Sequence, residues 1–329
     1  MQGGGWDDDG TDGYVHIMSG DEGGETSLAD HTAAVLPRRR HYAEFFGEAP
    51  LPARFGVVVG NCQAESLRLV IASDALPAIR IPAVHELTAD EVVRLHEVLA
   101  HASFLVAQPI RDDYRGLALG TDQLRAALAP NATVVTVPSL RYGGLHPFQA
   151  VLRLPGFETD PPLVAYHDVR ILAEAAGLPV AARLPAEVVR AVAEDSVAEL
   201  RRREDAGIDV HASDLFSPVV ADLARTINHP GNAVFLPLGE RVVAALGAPG
   251  RAVDPGRPIL AGVRAPLEEW VVEAWGLDAE PQPDWIVEGA VLEADAVADA
   301  HRAWYAERPE FVAAAVSRIA PLLRRWRAA

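Results

Sequence analysis

One cysteine, Cys62, stands in a chain of 329 residues. It falls in the run Val57-Val58-Val59-Gly60-Asn61-Cys62-Gln63-Ala64-Glu65-Ser66-Leu67, where a β-branched stretch passes through a glycine into residues with helical spacing. A cysteine at such a turn meets unpaired backbone N–H groups and the positive end of a helix dipole. Both favour thiolate over thiol, lowering the pKa from its ordinary value of about 8.5. The neighbouring amides could also hold an oxyanion. The competing reading is a small buried residue that packs and does nothing else, and the spacing alone leaves the two open.

A thiolate nucleophile needs a base. Four histidine contexts compete: Leu145-His146-Pro147, Tyr166-His167-Asp168, Val210-His211-Ala212 and Asn228-His229-Pro230. His229 is preferred. Its proline removes a backbone donor, so it cannot lie inside a regular helix or central strand and is expected in a loop. His146 shares that logic. His167 follows the apolar run Leu163–Ala165 and is expected at a strand end. His85, His96 and His101 fall in or near ordinary helices and take no role. No HExxH or HxH spacing points to a metal.

A second notable stretch is Gln108-Pro-Ile-Arg-Asp-Asp-Tyr-Arg-Gly116. One turn of helix would put Arg111 and Arg115 on one face, a pair suited to phosphate oxygens. Pairing with Asp112 and Asp113 is the alternative. Neither GxGxxG nor GxxxxGK[ST] occurs, so no dinucleotide fingerprint or triphosphate loop is supported. Gly3–Gly5 lies in a Gly- and Asp-rich stretch and is not a phosphate loop.

The elements that must position these residues follow from periodicity. Phe55–Val59, Phe104–Ala107 and Thr133–Val137 read as buried strands. Ala64–Ala75, Ala89–Ala102 and Thr121–Leu128 read as helices, the last with Thr121 as its N-cap. Strands alternating with helices predict an α/β fold, a parallel sheet flanked by helices. Ligands in such sheets bind beyond the carboxyl ends of the strands. Asn61, Cys62 and Gln63 follow the first strand there. Gln108, Pro109 and Ile110 follow the second, and Pro138, Ser139 and Leu140 the third. Downstream the pattern is mainly helical, through Ala186–Glu204, Asn232–Leu246, Ala294–Tyr305 and Phe311–Arg327. Residues 1–45 are expected as a flexible leader, 46–250 as the core and 251–329 as a helical region packed on it. Ordered structure is expected to begin near Arg54.

Composition narrows the function classes. Forty-six acidic against 29 basic residues give a formal charge of -17, which argues against a duplex nucleic-acid binder. A single cysteine excludes intrachain disulfides and multi-cysteine zinc sites. No apolar run approaches the roughly 20 residues that span a bilayer. The N-terminus lacks the basic start and apolar stretch of a signal peptide, so a cytoplasmic enzyme is expected.

Five segments occur in order: GNCQAESL after a strand, QPIRDDYRG with a following GTDQL, PSLRYGGLHPFQ, AYHDVRI and TINHPGN. Together they resemble the WcbI-type family of polysaccharide-biosynthesis acetyltransferases, over roughly Phe55 to Phe235. The resemblance implies coenzyme A binding, with acetyl-CoA as donor and a sugar hydroxyl as acceptor; no metal is expected, from the spacing above. It points to Cys62, His229 and His146 as catalytic residues. The residues expected on the cofactor side are Asn61, Gln63, Gln108, Arg111, Arg115, Arg141 and His167, with the three arginines near the sheet's carboxyl edge meeting the CoA phosphates. The GNCQ turn is also similar to that of SGNH-type hydrolases, with cysteine in place of serine, but no DxxH motif follows. Asp214 is the nearest acidic residue upstream of His229 in a plausible loop. The expected activity is a CoA-dependent O-acetyltransferase on a sugar-like hydroxyl. An esterase or thioesterase of the same architecture and a non-catalytic CoA-binding scaffold are the alternatives.

Overall fold

The computed structural model describes residues 37–157 and 159–327. Most of the expected leader, residues 1–36, therefore lies outside the described residues. Order begins earlier than Arg54. A short helix, α1 (Ala43–Phe46), buries Phe45 completely, and Arg94 Nε donates to the Phe45 carbonyl at 2.8 Å. Two aromatics at 45 and 46 supply apolar area that the surrounding polar residues hide from a composition-based reading.

The sheet forms as the sequence predicts. Strands β1 (Gly56–Val59), β2 (Ala78–Ile79), β3 (Phe104–Ala107) and β4 (Thr133–Thr136) pair in the order β2-β1-β3-β4, all parallel. β1 and β3 align Gly56 with Phe104 through Val59 with Ala107. Strands buried on both faces read as unbroken apolar runs, and their alternate residues enter two different cores. Val58, Phe104, Val106 and Val135 pack with α2 (Cys62–Ile71), α6 (Ala186–Glu204) and α7 (Asn232–Ala245). Val57, Val59, Leu105 and Ala107 pack with Phe45 and with α3 (Ala89–Leu99) and α4 (Thr121–Ala126). A side chain on Gly56 would sit 2.2 Å from the Phe104 ring, so β1 can start at this register only with glycine.

Local chemistry sets most boundaries. Thr88 and Glu91 form a reciprocal capping box at the start of α3. Helix α4 differs from expectation: its N-cap is Gly120, while the Thr121 hydroxyl accepts from the Ile110 N–H at 2.9 Å. The expected helical turn through Arg111 and Arg115 is absent. Asp113 and Arg115 both have positive φ, 54° and 56°, which breaks the chain into left-handed steps and removes a shared helical face.

Downstream come α5 (Val169–Ala175), α6, α7, α8 (Glu269–Trp275), α9 (Ala294–Ala306) and α10 (Pro309–Arg327). Among them lie short antiparallel pieces that periodicity does not reveal, because strands of two or three residues contain no period. They are β5 (Gln149–Ala150) with β6 (His167–Asp168), β7 (Ala224–Thr226) with β8 (His229–Pro230), and the β9 (Val263–Arg264), β10 (Trp285–Val287), β11 (Ala290–Leu292) sheet. Among the described residues, no helix is long and apolar enough to cross a membrane.

Candidate active site

The turn between β1 and α2 is held by a network of side-chain amides. Asn61 is the N-cap, its Oδ1 accepting from the Gln63 N–H at 3.0 Å. That leaves Cys62 as the first residue of the helix. Gln108, beyond the end of β3, accepts the Asn61 N–H on Oε1 at 2.9 Å and donates from Nε2 to Gln63 Oε1 at 3.1 Å. A Cβ on Gly60 would lie 2.3 Å from Gln108 Oε1, so the glycine of the motif makes room for this bond. Gln63 Oε1 also accepts the Leu140 N–H at 2.9 Å, and its Nε2 donates to the carbonyls of Leu140 (2.8 Å) and Asn228 (2.7 Å). One buried glutamine thus joins the carboxyl ends of β1, β3 and β4 to the segment carrying His229. Each of its polar atoms is satisfied, as burial requires.

The His229 segment is anchored again by the Tyr142 N–H on the Ile227 carbonyl at 2.7 Å and the Ile227 N–H on Gln149 Oε1 at 2.8 Å. His229 opens the two-residue strand β8, paired with Thr226 of β7. A two-residue strand made of His229 and Pro230 takes the place of the expected loop. The result is a fixed imidazole: His229 Nε2 lies 3.8 Å from Cys62 Sγ and 3.3 Å from the Tyr166 hydroxyl. Cys62 is buried and His229 half-buried. A sulfur and a ring nitrogen at this separation are close enough for proton transfer after slight closure on a bound substrate.

The backbone amides beside Cys62 are less available than expected. Those of Asn61, Gln63 and Ala64 are bonded to Gln108 Oε1, Asn61 Oδ1 and the Asn61 carbonyl. These three donors are committed to the turn and do not offer an oxyanion site.

The remaining expected residues divide. Asn61, Gln63 and Gln108 border Cys62, with Asn61 Nδ2 donating to Ser139 Oγ at 3.2 Å. Arg115 is exposed and donates to the His85 carbonyl at 2.7 Å; the adjacent Val84 N–H binds the Gly60 carbonyl at 3.0 Å. Arg111 is exposed on the segment that follows Gln108. Arg141 is half-buried between Leu140 and Tyr142, both anchored at the site.

His146 and His167 are elsewhere. His146 is buried, with Nδ1 3.2 Å from the Pro266 carbonyl and Nε2 3.2 Å from the Ala224 carbonyl. Burial pushes its pKa down to about 4, against two carbonyls that favour the protonated ring. His167, expected near the cofactor, instead sits 1% exposed in the C-terminal core. Its Nδ1 is 2.6 Å from the Tyr305 hydroxyl, and its ring stacks on Tyr305 and Phe311. Burial first, then the charges of His301 and Arg153, push its pKa down to about 3. Successive residues of an extended segment point to opposite sides, so Tyr166 meets His229 while His167 faces away. Tyr166 is the residue that sequence reasoning missed, one position from the one it chose. Asp214 pairs with Arg241 at 2.6 Å near the surface. A groove of about 600 Å³ lined by Leu178, Tyr305, Val312 and Val316 lies over the C-terminal helices and shares no lining residue with the Cys62 cluster.

Residues 55–251 match the family described as polysaccharide biosynthesis enzyme WcbI. No curated protein matches the chain. Among solved structures, the fold matches one of WcbI, a novel polysaccharide biosynthesis enzyme, in its native form without a disulfide bond between CoA and a cysteine of that protein. The identity is 20% and the TM-score 0.67, over 83% of this chain and 99% of that one. On the family match, which takes in the Cys62 turn, the arginine segments and the His229 hairpin, the chain belongs to the WcbI family of polysaccharide biosynthesis enzymes.

Proposed function

We propose that this protein is a CoA-dependent acyltransferase that moves an acyl group, acetyl in the simplest case, onto a sugar-like hydroxyl. The observation that carries the reading is the 3.8 Å approach of Cys62 Sγ to His229 Nε2 at the N-terminus of α2. In the first half-reaction His229 takes the thiol proton and the sulfur attacks the thioester carbonyl. The carbon–sulfur bond to CoA breaks, and the departing CoA thiolate receives the proton from His229. In the second, His229 takes the proton of the acceptor hydroxyl, whose oxygen attacks the acyl group on Cys62. The sulfur leaves and is reprotonated by the imidazolium.

The CoA phosphates suit the arginines around this turn. Arg115 is tied through His85 and Val84 to the Gly60 carbonyl, Arg111 follows Gln108, and Arg141 lies between two anchored residues. A chain of net charge -17 repels an anionic ligand overall, so a local set of cations is needed. Gln63 and Gln108 position Cys62 and His229 in this reading.

The test is intact-protein mass spectrometry after brief exposure to acetyl-CoA. One acetyl group on the wild-type chain and none on Cys62→Ala, together with loss of turnover in Cys62→Ala, is the expected result. Release of that acetyl group to water with no sugar acylated would make the protein a hydrolase. No adduct and retained activity in Cys62→Ser would remove the covalent route.

A further inference from the structure

The hydroxyls behind His229 define where its protons sit. Thr226 Oγ1 lies 3.0 Å from Asn228 Oδ1 and 3.1 Å from the Tyr166 hydroxyl oxygen. Thr226 is fully buried and has one proton to give. Asn228 Oδ1 can only accept, so the threonine proton goes there. The Tyr166 hydroxyl then donates its own proton to Thr226 Oγ1, and the lone pair it has left faces His229 Nε2 at 3.3 Å. An acceptor at that position stabilises a proton on Nε2, the atom that also faces Cys62 Sγ. The Tyr166 ring cannot drift from this place, because it stacks on buried Trp285 at 5.8 Å between centroids.

We propose that Tyr166, oriented by Thr226, is the third member of the Cys62–His229 arrangement, a positioning residue that holds the Nε2 proton and so favours the thiolate–imidazolium pair. It takes the place that an acidic residue fills in a triad with a carboxylate. It acts on the Nε2 side, whereas an acid would act on Nδ1. Titratable and charged groups packed around this hairpin include Cys62 from α2, Tyr166 ahead of β6, His146 against the Ala224 carbonyl, Arg225 paired with Asp222 beside the Pro230 carbonyl, and Arg264 of β9, whose charge acts on Arg225. Cys62 and Tyr166 lie against Nε2.

This rests on the reading of Cys62 as the reacting group, and the test needs no turnover. Because the chain has one cysteine, its ultraviolet thiolate band, taken as the difference from Cys62→Ser, reports Cys62 alone across a pH titration. Tyr166→Phe keeps the ring and removes the oxygen. Its thiolate titration should move to higher pH by about one unit, roughly tenfold less thiolate near neutrality, as expected for one lost hydrogen bond to a charged group. Thr226→Val should move it the same way, since Tyr166 is then free to donate to Nε2, and Thr226→Ser should restore the wild-type curve. An unchanged curve in Tyr166→Phe, or one moved to lower pH, overturns the proposal. If wild-type Cys62 itself titrates like an ordinary thiol, the activated cysteine of the proposed function fails first, and the assignment to Tyr166 with it.

Discussion

Leu145-His146-Pro147 and Asn228-His229-Pro230 are the same kind of sequence, a histidine ahead of a proline that bars it from a helix interior. The folded chain uses them in opposite ways. His229 is half-buried, with Nε2 turned toward a thiol and a phenol, both able to exchange protons. His146 is sealed between two carbonyls that cannot. A neutral imidazole has one N–H, so one of those carbonyls faces a lone pair. Its ring ties Ala224 of β7 to Pro266 and thereby braces the hairpin that presents His229. In the proposed mechanism the two histidines serve one site, His229 as its base and His146 as a support of the hairpin.

That contrast can be broken most directly by exchanging the losses. His229→Ala should lower acetyl transfer by about 10²- to 10⁴-fold, the usual contribution of a positioned base, with little change in melting temperature. His146→Ala should do the reverse. It leaves two buried carbonyls and a cavity, at a stability cost on the order of 2–4 kcal/mol, while the folded fraction keeps most of its turnover. Steady-state rates beside thermal melts of both variants decide it; equal behaviour would erase the distinction.

The second contrast appears in pH. His146 and His167 have pKa values of about 4 and about 3 in the folded chain, against an ordinary 6.5. Below pH 6.5 the unfolded chain binds protons that the folded chain refuses, so stability falls as pH falls. Their contribution is intact above pH 6.5 and is lost progressively toward pH 4 and pH 3. Urea unfolding at pH 7 and pH 5 should show a drop of about 3–4 kcal/mol, shared nearly equally by the two rings, and His146→Gln should remove about half of it. A wild-type stability that does not fall over this interval would contradict the sealed environment of both rings.

The third and smallest effect concerns the ligand. If CoA lies on the Cys62 side, Arg111→Ala or Arg115→Ala should weaken its binding by about 1–3 kcal/mol, as for a charge-assisted contact. His146→Ala should leave binding unchanged. Titration calorimetry with CoA tests both, and unchanged affinity in the two arginine variants removes them from the site.

The sequence by itself determined the strand–turn–helix frame and two of the central residues. Parallel strands are apolar runs, and α2 and α3 show their faces by spacing, so the order β1-α2-α3-β3-α4-β4 is written locally. Cys62 and His229 stand out for local reasons as well, the one cysteine at a turn and a histidine that a proline confines. What only the tertiary structure decided are the contacts with no local trace. Gln63 meets Gln108 across 45 positions and the Asn228 carbonyl across 165. Nothing in GNCQ or QPIR shows that these two side chains meet. Tyr166 and His167 are adjacent, and a two-residue strand has no period to say which faces His229. Arg111 and Arg115 have helical spacing, yet left-handed steps at Asp113 and Arg115 separate them. In each case the outcome is fixed by which distant surface each side chain meets, and a local pattern does not encode distant surfaces.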